Sequence, residues 1–187
     1  METVKKNEFV EIKFTGYAQG IVFDSNIEED LKKISPEGKP QETIVMIGRQ
    51  MVVGGLDKAL EGKEIGKEYR ITLSPKEGFG ERKRDLMKII PLNAFTERDI
   101  HPRPGMMLTL DDMLVKIIAV SGARVTVDFN NPLAGKELEY KFTIIRKVTD
   151  EKEKAKALFQ MMLRFVPEFE VNEKVVVRGP QALEAFI

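Results

Sequence analysis

The feature that most limits what this chain can build is the run IGRQMVVGGLDKALEGKEIGKEYRITLSPKEGFGE over residues 47–81. Ile47-Gly48 closes a strand, and Gln50-Met51-Val52-Val53 is apolar without a helical period. Gly54-Gly55 then permits a tight turn, because glycine has no Cβ to forbid positive φ. Leu56, Ala59 and Leu60 recur at helical spacing until Gly62, which predicts a short helix. Tyr69, Ile71 and Leu73 alternate with Arg70, Thr72 and Ser74, the pattern of a half-buried strand. Ser74-Pro75 ends that strand, and Glu77-Gly78-Phe79-Gly80 makes a turn carrying one ring. A strand, a short helix, a strand and an aromatic-tipped loop this close in sequence can enclose a small apolar pocket.

The flanking segments extend a sheet. Val10, Ile12 and Phe14 alternate with Glu11 and Lys13, so residues 8–17 read as a strand with the apolar set inward. Ile21-Val22-Phe23 continues after the Gln19-Gly20 turn. Asn26 precedes Ile27, Leu31 and Ile34 at helical spacing, with Glu29 three residues on, the pattern of a capped helix. Ser35-Pro36 stops it, and residues 42–47 are another strand.

Residues 67–74 and 137–148 are strands expected to pair, yet a long excursion separates them. A structureless loop of that length is unusual in a compact domain. Apolar runs at 87–92, 106–110, 114–120 and 124–129 predict strands there, with a helical turn at 96–100 and a hairpin tip at Asp111-Asp112. The excursion therefore reads as a small inserted β-meander. Beyond Val148, residues 151–166 place Ala155, Leu158, Phe159, Met162, Leu163 and Val166 on one helical face, and Pro167 ends the helix. Residues 169–171 and 175–177 pair around Asn172-Glu173, and Gly179-Pro180 begins a final segment. A piece this small must pack on the rest of the chain or on a second copy.

Several separated motifs, in this order, are similar to those of the FKBP-type peptidyl-prolyl isomerases. They are the 47–81 run, Phe14-Thr15-Gly16-Tyr17, Val22-Phe23-Asp24-Ser25 and Asn131-Pro132-Leu133-Ala134-Gly135-Lys136. The last resembles the SlyD-like and archaeal members, which carry an extra domain inserted in the flap. The resemblance covers roughly the first four-fifths of the chain. It implies an α+β fold, with a twisted antiparallel sheet wrapped on a short helix and an inserted β domain, to which the residue pattern beyond Val148 adds a C-terminal α/β appendage. The expected domains are residues 1–83 with 130–149 for the isomerase, 84–129 for the insert and 150–187 for a docking or dimerisation element.

The resemblance also implies the site. Tyr17, Phe23 and Asp24 would line one wall, and Val52 and Val53 another, with the Val53 N–H placed to bond a substrate carbonyl. Leu56 would form the floor where many relatives carry Trp, and Phe79 would take the loop position where relatives often carry Tyr. Tyr140 would be a further wall aromatic, and Ile47 and Leu133 would complete the substrate contacts. Asn131 stands where SlyD-like members frequently have His.

Such a site needs no covalent chemistry. The X-Pro bond is held by amide resonance behind a barrier of about 18–20 kcal/mol. An apolar pocket disfavours the charge-separated planar amide relative to the twisted transition state, and fixed donors add to this where they fit the twisted geometry better. Ile89, Ile90, Leu92, Phe95, Met106, Met107 and Met113 fall in the insert, and a flexible apolar surface of that kind can hold varied unfolded segments. The bland reading is that they fill a small core.

Composition removes other classes. Thirty basic and thirty acidic residues cancel, so the electrostatic footprint of a nucleic-acid binder is missing. There is no Cys, which excludes a disulfide scaffold and thiol catalysis. No apolar run is long enough to span a bilayer, and METVKKNEF lacks the apolar core of a signal peptide, so cytoplasmic residence is expected. Gly54-Gly55 lacks the pattern of a phosphate-binding loop. His101 is the only His and is flanked by Pro, and no metal or other cofactor is expected. The leading expectation is a peptidyl-prolyl cis-trans isomerase that also holds unfolded or Pro-containing polypeptides. The alternative is a non-catalytic chaperone or assembly module that only binds such segments.

Overall fold

The computed structural model describes residues 2–172 and 174–178. The expected turn at Asn172-Glu173 is therefore described only at Asn172, and the segment starting at Gly179-Pro180 lies outside the described residues. Two compact units emerge, one over Met1–Leu73 and Leu138–Ile187, the other over Ser74–Glu137.

The first unit holds a five-stranded antiparallel sheet. Strand β1 (Phe9–Ala18) is central, with β9 (Leu138–Lys147) along one side and β2 (Ile21–Ser25) and β3 (Thr43–Met46) sharing the other. Strand β4 (Glu68–Leu73) pairs with the far side of β9. The alternation of apolar residues in β1 carries Val10, Ile12 and Phe14 to the inner face, all buried. Helix α2 (Gly54–Leu60) packs against β4 and buries Leu56 and Leu60. Burial on this scale is worth about 1.5–3 kcal/mol for each such side chain. Gly62, at φ +75°, lies just beyond its end.

Helix α1 (Glu28–Ile34) departs from the expected role. None of its residues is buried and Ile34 is exposed, so its apolar spacing does not make a core face. Asn26 does not cap it either. Its amide accepts from the Phe14 N–H and donates to the Ile12 carbonyl, both at 2.8 Å, and to Thr43 Oγ1. Sitting between β1 and β3, it finds cross-strand partners and is used there.

At the C-terminus, α4 (Glu151–Leu163) starts from a side-chain cap, Asp150 accepting from the Glu153 N–H. It ends earlier than the apolar pattern suggests, with Arg164 left-handed at φ 60°; a continued helix would bring the Pro167 ring against the Leu163 carbonyl four residues back. Strands β10 (Glu168–Val171) and β11 (Val175–Arg178) pair as expected. Phe169 meets Phe159 edge-on at 5.1 Å, so the small element covers part of its own stripe. Of the helix residues only Ala155 is buried, while Met161 and Met162 remain exposed.

Charge holds this helix to the sheet. Arg146 on β9 binds Glu153 of α4 at 2.9 Å, Glu11 of β1 at 2.7 Å and Glu42 at 3.0 Å, and Lys154 Nζ lies 5.9 Å from the Phe9 ring. Arg146→Ala is therefore expected to speed amide hydrogen exchange across α4 while the five-stranded sheet keeps its protection. Unchanged exchange in α4 would mean that apolar contacts hold the helix.

The second unit holds a four-stranded antiparallel sheet in the order β5-β8-β7-β6, from Met87–Pro91, Arg124–Asp128, Met113–Ser121 and Met107–Leu110 respectively. A short helix, α3 (Asn93–Thr96), is placed slightly before the turn expected at 96–100. The β6–β7 hairpin turns on Asp111 and Asp112, both at positive φ, a conformation that Asp tolerates better than most residues. Val115, Ile117, Val125 and Val127 form the core with Phe95. At the base of this unit, Asn130 accepts from the Lys83 N–H at 2.8 Å and donates to the Lys83 carbonyl, while Asp128 accepts from Asn130 and pairs with Arg82.

Candidate functional site

The site builds from a row across the first unit's sheet. Gly16 on β1 pairs with Asp24 on β2 and with Tyr140 on β9, and Tyr140 pairs with Ile71 on β4. Paired residues share a face, so Asp24, Gly16 and Tyr140 stand side by side. The β1–β2 register shifts between Gly16 and Tyr17, which puts Phe23 at a bulge in β2. Its ring lies over Gly16, where a Cβ would come within 2.7 Å of Phe23 Cζ and 3.0 Å of Tyr140 Cε1. The missing side chain is thus what lets the two rings close. Phe23 meets Tyr140 edge-on at 5.8 Å, and Phe14 lies 6.2 Å from it.

Tyr17 is not part of this group. The alternation of β1 turns it to the opposite face with Thr15, and its hydroxyl points to Asp30 of α1 at 3.5 Å. Thr15 Oγ1 donates to the same carboxylate at 2.8 Å. The aromatic that β1 contributes is Phe14, which the family motif did not single out. The signal was present, since Phe14 and Gly16 are two residues apart and must share a face.

Electrostatics separate Asp24 from Tyr140. Desolvation pushes the Tyr140 hydroxyl well above its ordinary value, and the Asp24 charge adds to this. The raised value favours the neutral phenol, which acts as a hydrogen-bond donor or acceptor. Crowding also raises the Asp24 carboxyl above the usual range, against a hydrogen bond from the Ser25 backbone. Asp24 is exposed as a whole residue, so water screens part of this effect.

The sign has a consequence. A carboxyl whose folded pKa is raised keeps its proton where the unfolded chain has lost it, so folding becomes less favourable as pH rises through that window. Asp24→Asn is expected to leave stability unchanged at strongly acid pH and to raise it slightly at neutral pH. Thermal unfolding over a pH series reads this out, and parallel curves for both proteins would rule it out.

The other expected residues take different places. Ile47 and Leu56 are fully buried in the first unit, and Val52 and Val53 are half-buried on the segment leading into α2. Phe79 and Leu133 belong to the second unit, both half-buried. The loops carrying them are joined by a bond from the Gly135 N–H to the Gly80 carbonyl at 2.8 Å, and Asn131 Oδ1 accepts from the Leu133 N–H. A groove of about 440 Å³ lies elsewhere, between β3 and α4, and none of the aromatic residues above lines it.

The expected chaperone surface divides in two. Phe95 is 2% exposed and lies in the second unit's core, with Ile90 and Leu92 packed against it. The burial has a simple cause: β5 alternates, so Ile90 turns in as Ile89 turns out, and α3 plugs the inner face. Ile89, Met106, Met107 and Met113 are exposed, as are Leu114 and Ile118, which the sequence reading passed over. Among the described residues no group of His, Cys, Asp or Glu could hold a metal ion, and no helix is long and apolar enough to cross a membrane.

Comparison with known proteins gives family matches over most of the chain. Residues 1–97 match the family described as FKBP-type peptidyl-prolyl cis-trans isomerase, and residues 88–133 match the one described as FKBP26, IF domain. The chain is 36% identical over 150 residues to a short-type peptidyl-prolyl cis-trans isomerase of Methanocaldococcus jannaschii, covering 79% of this chain and 93% of that protein. It is 31% identical over 147 residues to the FKBP-type isomerase SlyD of Haemophilus influenzae, covering 76% and 71%. With SlyD of Helicobacter pylori it shares 29% over 158 residues, covering 81% and 78%.

Proposed function

This chain belongs to the FKBP-type peptidyl-prolyl cis-trans isomerase family, and on that premise we propose that it isomerises X-Pro bonds at the Phe14–Phe23–Tyr140 cluster and holds unfolded chain on its insert. The observation that carries the site is the closure of Phe23 and Tyr140 over Gly16, which makes an apolar aromatic face on one edge of the sheet. A prolyl ring packed on that face leaves water, and its amide loses the solvation that favours the planar form. Val53 supplies an N–H donor to the substrate carbonyl, while Val52, Ile47 and Leu56 shape the apolar floor. Asp24 and the neutral Tyr140 hydroxyl set the polarity of the rim.

Residues 84–129 serve as the insert and offer Ile89, Met106, Met107 and Met113 to clients, with residues 1–83 and 130–149 as the catalytic domain. The exposure of these side chains on a small β unit supports that role. Residues 150–187 act as a docking or dimerisation element, a reading supported by Met161, Met162 and Val175 left in water. Sedimentation of the full chain beside one ending near Val148 tests it, and monomers in both cases would leave only intramolecular docking. The cytoplasm is the proposed setting, since a chain without Cys suits a reducing compartment.

The deciding experiment is exchange of an X-Pro peptide with protein present well below the peptide concentration. Repeated turnover is the expected result. An effect only at equal concentrations would favour a non-catalytic binder.

A further inference from the structure

Asp57 is 3% exposed, yet it carries a carboxylate into the first unit's interior. Both oxygens are used, and both face the same segment. Oδ1 accepts from the Gly48 N–H and Oδ2 from the Gln50 N–H, each at 2.9 Å. The Asp57 backbone N–H then reaches the Val53 carbonyl, also at 2.9 Å. One residue on α2 thus grips residues 48–53 at three points.

The grip is needed because the segment does not hold its shape by itself. Gly48 stands at φ +83° and Gln50 at φ +55°, and the second of these is a left-handed position that non-glycine residues rarely occupy. Between β3 and α2 the chain has no strand pairing to enforce such angles. A carboxyl group whose two oxygens take N–H groups two residues apart supplies the missing constraint, because hydrogen bonds are short and directional. Met51 is tied back as well, its sulfur accepting from the Met46 N–H at 3.1 Å.

We infer that Asp57 is the positioning residue of the active site, holding the 48–53 segment so that Val52, Val53 and the Val53 N–H meet the substrate. This rests on the reading that Val52 and Val53 bind substrate. Asp57 touches no substrate and acts through the loop. A misplacement of about 1 Å in a binding group can lower a rate by about 100-fold, which sets the size of the expected effect.

The test compares Asp57→Asn with Leu60→Val, a buried change in the same helix with no contact to the loop among those described. Asp57→Asn turns one acceptor into a donor facing an N–H, so one of the two bonds is lost and the other kept. Expected for Asp57→Asn is faster hydrogen exchange at Gly48 and Gln50 and a fall in kcat/KM per folded molecule of about 10- to 100-fold. Leu60→Val lowers Tm but keeps kcat/KM per folded molecule. Val53→Pro, which fits the φ of −50° at this position and removes the N–H, is measured alongside and reports on the site itself. If Val53→Pro lowers activity and Asp57→Asn does not, Asp57 has no positioning role. If Val53→Pro is neutral, the assignment of the segment to substrate binding fails, and any effect of Asp57→Asn does not run through it. If Asp57→Asn fails to fold, Asp57→Ser leaves at most one acceptor for the two N–H groups, and full kcat/KM per folded molecule in that variant overturns the inference.

Discussion

Replacing residues 84–129 with a short turn is expected to cut catalysis of a proline-limited refolding reaction by about 100-fold, while turnover of a tetrapeptide stays near that of the full chain. The reasoning separates chemistry from capture. A tetrapeptide needs only the aromatic face on β1, β2 and β9 and the 47–56 segment, and none of these lies in the deleted segment. A refolding protein must first bring one Pro bond among many to that face. Holding the client on Ile89, Met106, Met107 and Met113, and on the exposed Leu114 and Ile118, turns the search into an intramolecular one. Tethering by the chain alone supplies the gain in effective concentration. Residues 74–83 and 130–137 remain after the deletion and carry the new turn beyond Leu73 and Leu138, the outermost pair of β4 and β9. Measuring both reactions on both proteins decides the matter: equal refolding activity would assign the insert some other role.

The second large effect is expected at Tyr140. Truncation to Ala removes a ring that is 2% exposed and in contact with both Phe14 and Phe23. Loss of a buried aromatic costs about 3–5 kcal/mol through lost transfer and the cavity left behind, a large share of the about 5–15 kcal/mol that holds a typical domain. Activity should fall with it even in the fraction that remains folded, because the prolyl ring loses the surface it packs on. Tyr140→Phe separates the two contributions of this side chain. It keeps the ring and the edge-on contact to Phe23, so stability should hold, and any change in kcat/KM reports on the hydroxyl alone. Chemical denaturation and peptide turnover on both variants supply the readout. Full activity in folded Tyr140→Ala would remove the aromatic cluster from the site.

Much of this architecture follows from short-range pattern. Alternation in residues 9–14 and 69–73, the helical spacing of Leu56, Ala59 and Leu60, and turn residues such as Asp111-Asp112 each determine an element without outside help. A strand or a turn depends on the conformation of neighbouring residues, and those preferences are written locally. The family motifs added Phe23, Asp24 and Tyr140, and in the fold Asp24 and Tyr140 flank Gly16 across β2, β1 and β9 while the Phe23 ring meets Tyr140.

What the local pattern could not decide was which partner a polar or aromatic side chain would choose. Asn26 has the spacing of a helix cap, but β1 and β3 bring two carbonyl and amide partners and the Thr43 hydroxyl within reach, and it bonds those. Tyr17 has the residue type of a pocket wall, but one step along a strand reverses the face, and Asp30 of α1 is what it meets. Phe95 has the exposure expected of a client-binding residue only until α3 folds it onto Val115 and Val127. Asp57 reads as an ordinary helix carboxylate until the loop at Gly48 and Gln50 closes over it. In each case the sequence by itself determined the element and its period. The tertiary structure alone decided the partner, because hydrogen bonds and ring contacts reach only a few ångströms and depend on which distant segments the fold brings together.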